Sequence, residues 1–176
     1  MFAPEVEKLL NEQIGHETYS AHLYLAMSAW LRSENLDGYA HWFYVQYKEE
    51  MDHALIFYNF VLNAGGTVQL GAIEAPPQAF ASLADVLQQS LDHERLVTSL
   101  IYAITDTALK AKDFKTTQFL DWFVKEQVEE EDNATTNIGR LKYFGGDARG
   151  LHALDQEVGA RVYVQTPQLA LYETGA

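Results

Sequence analysis

Four long stretches of this sequence repeat apolar residues at alternating steps of four and three, and this periodicity constrains the fold more than any other feature. Such steps place the apolar side chains on one face of an α-helix. The stretches run from about residue 4 to 32, 37 to 63, 83 to 111 and 114 to 144. Four amphipathic helices of similar length can bury their apolar faces against one another. The sequence therefore predicts an all-α fold, a four-helix bundle.

The second and third helices are joined by an unusually long connection. Residues 64–81 carry Gly71 and the pair Pro76-Pro77, and they show neither helical nor strand periodicity. About 18 extended residues reach roughly 60 Å, whereas a helix of about 28 residues is roughly 42 Å long. The connection can therefore cross the whole bundle and let the helices on either side of it run parallel.

The whole chain is predicted to form one domain, because 176 residues that are 48% hydrophobic suffice for one well-buried core. The bundle should occupy about residues 4–144, and a short fifth helix is predicted over about 147–158. Residues 159–176 show no clear pattern and are predicted to be an irregular tail.

Composition narrows the classes of function. The 25 acidic residues outnumber the 12 basic ones, and the net charge of −13 disfavours nucleic acid and anionic membranes as partners but favours cations. The absence of cysteine excludes disulfides, thiolate catalysis and cysteine-based metal sites. No apolar run of about 18 residues is present, and the N-terminus lacks a signal-peptide pattern. We expect a soluble, cytoplasmic protein.

Each of the four apolar faces becomes polar near the middle of its helix. Helices of similar length have their midpoints at similar height, so these polar side chains should meet in one buried layer. Unpaired ionised groups in a core each cost several kcal/mol, so this layer is expected to hold metal ions. The polar positions are Glu17 on the first helix, Glu50 and His53 on the second, Glu94 on the third, and Gln127 and Glu130 on the fourth.

The two halves of the chain repeat the same spacing. Glu50 follows Glu17 by 33 residues, and Gln127 follows Glu94 by 33 residues. In each half the lone glutamate is followed by a pair of polar residues at i and i+3, which share one helix face. Two such hairpins packed about a pseudo-twofold axis would place two metal ions side by side, with Glu50 or Glu94 bridging them.

These residues carry a resemblance to the ferritins, most closely to the non-haem bacterial ferritins, over about residues 4–158. The resemblance implies a di-iron ferroxidase centre. In that family pattern the first iron is bound by Glu17, Glu50 and His53, and the second by Glu50, Glu94 and Glu130. The matching motifs are Glu17, Tyr24, Glu50-x-x-His53, Glu94 and Glu126-Gln127-Val128-Glu129-Glu130.

The resemblance also implies what the centre does. The family oxidises Fe(II) with dioxygen or peroxide and stores the ferric product as mineral inside a shell of twenty-four subunits. Tyr24 is expected either to hydrogen-bond a ligand or to donate an electron. Glu49, Glu126 and Glu129 suggest a third iron site, although an acidic run of this kind can also be a solvated surface.

Departures from the symmetric pattern separate this chain from related families. Gln127 and Glu130 stand where a Glu-x-x-His pair would complete the symmetry, and this disfavours bacterioferritin, rubrerythrin and ribonucleotide reductase. Met51 occupies the position of the haem-ligating methionine of bacterioferritins, but methionine is an ordinary packing residue and haem is not expected. Two alternatives stay open. One is a di-iron peroxidase of the erythrin or haem-containing bacterioferritin type, and the other is a structural bundle whose acids stay protonated.

Overall fold

The computed structural model describes residues 2–173, and this part of the chain forms six helices and no strand. The predicted all-α architecture, with four long helices and a short fifth, is confirmed. Within the described range no helix is long and apolar enough to cross a membrane. The helices are α1 (Pro4–Ser33), α2 (Asp37–Asn63), α3 (Leu83–Lys110), α4 (Phe114–Phe144), α5 (Ala148–Val158) and α6 (Pro167–Glu173).

The bundle consists of two helical hairpins, α1 with α2 and α3 with α4, and α1 also packs against α3. Its apolar core is divided into two clusters, one toward each end of the bundle. The first includes Leu10, Ile101 and Phe123, and the second includes Met27, Phe43 and Leu87. The polar positions of the four helices lie between these clusters, at mid-height, as the sequence predicts.

The connection between α2 and α3 passes along α1. Near its start, Asn11 Nδ2 donates to the carbonyl oxygen of Thr67 at 3.0 Å, and Gln69 N donates to Asn11 Oδ1 at 2.6 Å. Near its end, the ring of Phe80 packs edge-on against Trp30, with ring centroids 5.7 Å apart. The connection therefore runs from the beginning of α1 to its end, so α2 and α3 start at the same end of the bundle and run parallel.

Helix α5 is held against the start of α2. The amide N–H of Tyr39 donates to Asp155 Oδ1 at 2.9 Å. The two helices approach so closely at Gly38 that a Cβ added there would lie 1.7 Å from the carbonyl oxygen of Asp155. A residue without a side chain is therefore required at this contact.

The predicted irregular tail is partly wrong, because α6 forms within it. Pro167 occupies the first helical position, where its fixed φ suits a helix start. Leu169 is 2% exposed in the first core cluster, and α6 packs on α2. A helix of seven residues is too short to produce a recognisable period, so burial against α2 decides its conformation. Residues 161–166 have no regular structure, and residues 174–176 lie outside the described range.

Candidate metal centre

All six side chains of the predicted polar layer are buried in the middle of the bundle. Their exposed fractions lie between 1% and 5%, which for acidic groups is far below the usual range. The structure thus places side chains from all four long helices in one layer. They are Glu17 of α1, Glu50 and His53 of α2, Glu94 of α3, and Gln127 and Glu130 of α4.

Glu17, Glu50 and His53 form a compact group. One ligand atom from each lies within 4.8 Å of the other two, and His53 Nδ1 is 3.5 Å from Glu50 Oε2. A metal ion with bonds of about 2.0–2.2 Å keeps its ligands no more than roughly 4.4 Å apart. The group is therefore close to the spacing that a bound cation requires.

Two polar atoms of this group lack a partner. Glu17 Oε1 accepts from Gln13 Nε2 at 2.8 Å, but Glu17 Oε2 and His53 Nε2 have no hydrogen-bond partner among residues 2–173. A buried polar atom left unpaired costs about 1–3 kcal/mol. Glu17 lies within hydrogen-bonding reach of the Glu50 carboxyl, so either a shared proton or a cation between the two would remove that cost. The donor set therefore fits a metal ion.

Glu94 is held by two hydrogen-bond donors. The Tyr24 hydroxyl donates to Glu94 Oε1, and Gln127 Nε2 donates to Glu94 Oε2 at 3.2 Å. Gln127 therefore presents its amide N–H to the carboxylate and acts as a donor here. Tyr24 is fully buried and makes this hydrogen bond to Glu94, whereas its role at a metal centre stays a prediction.

Glu130 lies in the same layer and accepts a hydrogen bond from Gln46 Nε2 at 2.9 Å. The resemblance to the ferritins implies a second metal site made by Glu50, Glu94 and Glu130. Within residues 2–173, however, the only three ligands whose atoms come within 4.8 Å of one another are those of the first group. The second site stays a prediction.

The buried carboxylates favour their protonated forms. Burial, reinforced by Glu50, raises the pKa of Glu17 from 4.5 to about 8. Burial, reinforced by Glu130, raises the pKa of Glu94 to about 8 as well. Burial and the charges of Glu94 and Glu130 hold the pKa of Glu50 well above its ordinary value. Without a cation, the layer therefore keeps protons at neutral pH that a bound metal ion would displace.

We expect Zn(II) binding to release more protons at pH 6.5 than at pH 9.5. Glu17 and Glu94 have a pKa of about 8 in the folded state, so at pH 6.5 both hold protons that the metal ion must displace, and at pH 9.5 they do not. By the same shift, their protonation adds to the free energy of unfolding fully below pH 4.5, and this contribution is lost as the pH rises through about 8. Calorimetric titration in two buffers of different ionisation enthalpy counts the protons. In Glu17→Gln, Zn(II) binding should release about one proton fewer at pH 6.5. Equal proton release by the unmodified chain at both pH values would contradict this account.

The three residues predicted for a third site lie on the outer side of the layer. Glu49 and Glu126 are partly buried, and Glu129 is exposed. Burial raises the pKa of Glu49 from 4.5 to about 7 and raises the pKa of Glu126, and the charge of Glu130 adds to both shifts. The carboxylates of Glu49, Glu126 and Glu130 are therefore close enough to act on one another.

Three residues at the centre were not assigned to it from the sequence. Gln13 and Gln46 donate to Glu17 and Glu130, and each stands four residues before a site glutamate of its own helix, Glu17 or Glu50. This shared spacing places each glutamine one turn before a site glutamate on the same helix face, and it could have identified both residues from the sequence. Arg161, which pairs with Glu49, comes from the tail, where no local pattern points to it.

A four-helix bundle with buried carboxylates and a histidine at its centre defines the class of helical carboxylate metal proteins. Comparison with known proteins narrows that class. Residues 7–144 match the family described as ferritin-like domain. The chain belongs to the ferritin family.

Individual relatives cover almost the whole chain. A bacterial non-heme ferritin of Staphylococcus aureus is 36% identical over 163 residues, which is 93% of this chain and 98% of the relative. A probable bacterial non-heme ferritin-like protein of Haemophilus influenzae is 36% identical over 90% of this chain and 96% of its own length. The crystal structure of an open pore ferritin from Archaeoglobus fulgidus is 39% identical, with a TM-score of 0.90 over 92% of this chain and 100% of that chain.

Proposed function

We propose that this chain is an iron-storage protein with ferroxidase activity. It oxidises Fe(II) to Fe(III) at a buried di-iron centre and stores the product as ferric mineral inside a cytoplasmic cage of twenty-four subunits. The observation that carries the proposal is the group of Glu17, Glu50 and His53, which combines ligand spacing with an unpaired buried carboxylate oxygen. Membership of the ferritin family and relatives named non-heme ferritin support it.

The donor set suits the oxidation of iron. Glu17, Glu50 and His53 bind one Fe(II), and Glu50, Glu94 and Glu130 bind the second. Carboxylate oxygens stabilise Fe(III) more than Fe(II), because anionic ligands favour the higher charge. Each Fe(II) gives up one electron, dioxygen or peroxide takes the electrons, and hydrolysis of Fe(III) to oxo-hydroxide releases protons.

The neighbouring residues set how firmly each ligand is held. The Tyr24 hydroxyl and the Gln127 amide both donate to the carboxylate of Glu94 and keep it oriented. Gln127 is a neutral amide that donates to Glu94 and is a poor ligand, so the second iron has one ligand fewer than in a symmetric centre. A loosely held second iron suits a centre that passes its product to a mineral. Glu49, Glu126 and Glu129 are the proposed third site on that route.

Aerobic addition of Fe(II) followed by size-exclusion chromatography tests the proposal. Iron should elute with a particle of about 480 kDa, the mass of twenty-four chains of 19.9 kDa. A small oligomer that turns over peroxide would indicate a di-iron peroxidase of the erythrin type. A chain that takes up no iron would indicate a structural bundle. An intense Soret band in the purified protein would identify a haem-containing protein of the bacterioferritin type.

A further inference from the structure

The chain after α5 returns along α2. We call residues 160–173 the C-terminal strap. The carbonyl oxygen of Arg161 lies 2.9 Å from His41 Nε2, and the Tyr163 hydroxyl donates to the carboxylate of Asp52 at 2.9 Å. The amide N–H of Thr166 also donates to Asp52, at 2.9 Å. The strap therefore follows α2 from its first turns past the middle of the bundle, where the metal centre lies.

The side chain of Arg161 is held by three residues of α2. Its Nη2 is 2.5 Å from Glu49 Oε2, and its Nη1 donates to Gln46 Oε1. Its guanidinium carbon lies 4.6 Å from the ring centroid of Trp42. Residues 42, 46 and 49 share one face of the helix, so Arg161 packs along that face over about two turns.

This ion pair is partly withdrawn from water. The side chains of Arg161 and Glu49 are 22% and 19% exposed, so the pair is screened less than one at the surface. The positive charge of Arg161 also opposes the rise in the pKa of Glu49, Glu126 and Glu130. The guanidinium therefore lies where the outer carboxylates attract a cation.

Arg161 also acts on Glu130 through Gln46. Gln46 is 1% exposed, and its amide accepts from Arg161 on the oxygen side while it donates to Glu130 Oε2 from the nitrogen side. The contact with Arg161 fixes the orientation of this amide, because its acceptor and its donor lie at opposite sides of one planar group. Without Arg161 the amide of Gln46 could rotate, and Glu130 Oε2 could then lose the hydrogen bond that it accepts from Gln46.

We propose that Arg161 is a tethered cation at the outer acidic site, and that its guanidinium competes with a third metal ion for the Glu49 carboxylate. The inference rests on the proposed function, because the third site belongs to it. A metal ion and the guanidinium at the same carboxylate repel each other, so each weakens the binding of the other. Iron at the third site therefore binds against the charge of Arg161.

Titration of the assembled protein with Zn(II), which is not oxidised, tests the proposal by calorimetry. The unmodified chain should show two inner sites per subunit and a weak third one. In Arg161→Gln the dissociation constant of Zn(II) at the third site should fall at least tenfold, since the competing charge is gone. Arg161→Lys keeps a cation on the strap, so its affinity for Zn(II) at the third site should stay close to that of the unmodified chain.

Tyr163→Phe is the matched control, because it tests whether weaker attachment of the strap to α2 is enough to change Zn(II) binding at the third site. It removes the hydroxyl that donates to Asp52 but keeps the charge of Arg161. An unchanged third site in Arg161→Gln would overturn the inference, and so would equal tightening in Arg161→Gln and Tyr163→Phe. In both cases the two inner sites would still support the proposed function. Absence of the inner sites from every variant would overturn the proposed function and the inference together.

Discussion

Glu50→Gln and Glu94→Gln are expected to slow the initial oxidation of Fe(II) by at least about a hundredfold, because loss of outer-shell partners alone lowers metal-site activity by about 10–100-fold. Each substitution removes a proposed ligand from the buried layer but preserves the volume of the side chain. Rapid-mix absorbance of the ferric product measures the initial rate. Slow oxidation of Fe(II) by dissolved dioxygen can continue, since that reaction does not need the inner centre.

Glu50→Gln should fold at least as well as the unmodified chain when metal is absent. Burial and the charges of Glu94 and Glu130 raise the pKa of Glu50 and so favour its neutral form, which a neutral amide resembles. In the unmodified chain, Zn(II) at about one hundred times its dissociation constant should raise the free energy of unfolding by about 2.7 kcal/mol. In Glu50→Gln this gain should largely disappear.

Glu34→Gln is the matched control, because it makes the same exchange of side chains at an exposed position at the end of α1, away from the buried layer. It should leave both the oxidation rate and the gain from Zn(II) unchanged. Unchanged initial oxidation in Glu50→Gln and Glu94→Gln would show that the ligands are assigned wrongly.

Gly38→Ala should displace α5 from the bundle. The added Cβ would lie 1.7 Å from the carbonyl oxygen of Asp155 and 2.5 Å from its carbonyl carbon, and backbone atoms cannot rotate away as a side chain can. Forcing extra volume into a packed contact costs about 1–3 kcal/mol. The hydrogen bond from Tyr39 N to Asp155 would weaken at the same time.

Chemical denaturation followed by circular dichroism measures this loss, and size-exclusion chromatography measures the assembly. In the proposed cage every subunit must keep its fold, so Gly38→Ala should also reduce the yield of large particles. Gly139→Ala is the control in α4, where an added Cβ meets nothing within 4 Å. It should raise the free energy of unfolding by about 0.5–1 kcal/mol, because glycine destabilises a helix interior. A stable, fully assembled Gly38→Ala would contradict the close contact.

The sequence by itself determined the features that repeat along a helix. Leu10, Glu17, Tyr24 and Leu31 recur every seven residues, which is two helical turns, and this spacing specifies both the helix and the face that carries the buried acid. Glu50 and His53 lie one turn apart on α2, so their convergence follows from helix geometry alone. The polar layer was predictable for the same reason, since four similar helices have their midpoints at one height.

Only the tertiary structure decided the contacts between residues far apart in the chain. Arg161 reaches Glu49 and Gln46 across more than a hundred residues, and Leu169 is buried only because α6 packs on α2. No periodic pattern marks these contacts, because they depend on where the chain turns after α5. A helix repeats every 3.6 residues, so its buried face is visible in the sequence. The path of the C-terminal strap depends instead on the surface of the folded bundle, which is formed by residues far away in the chain.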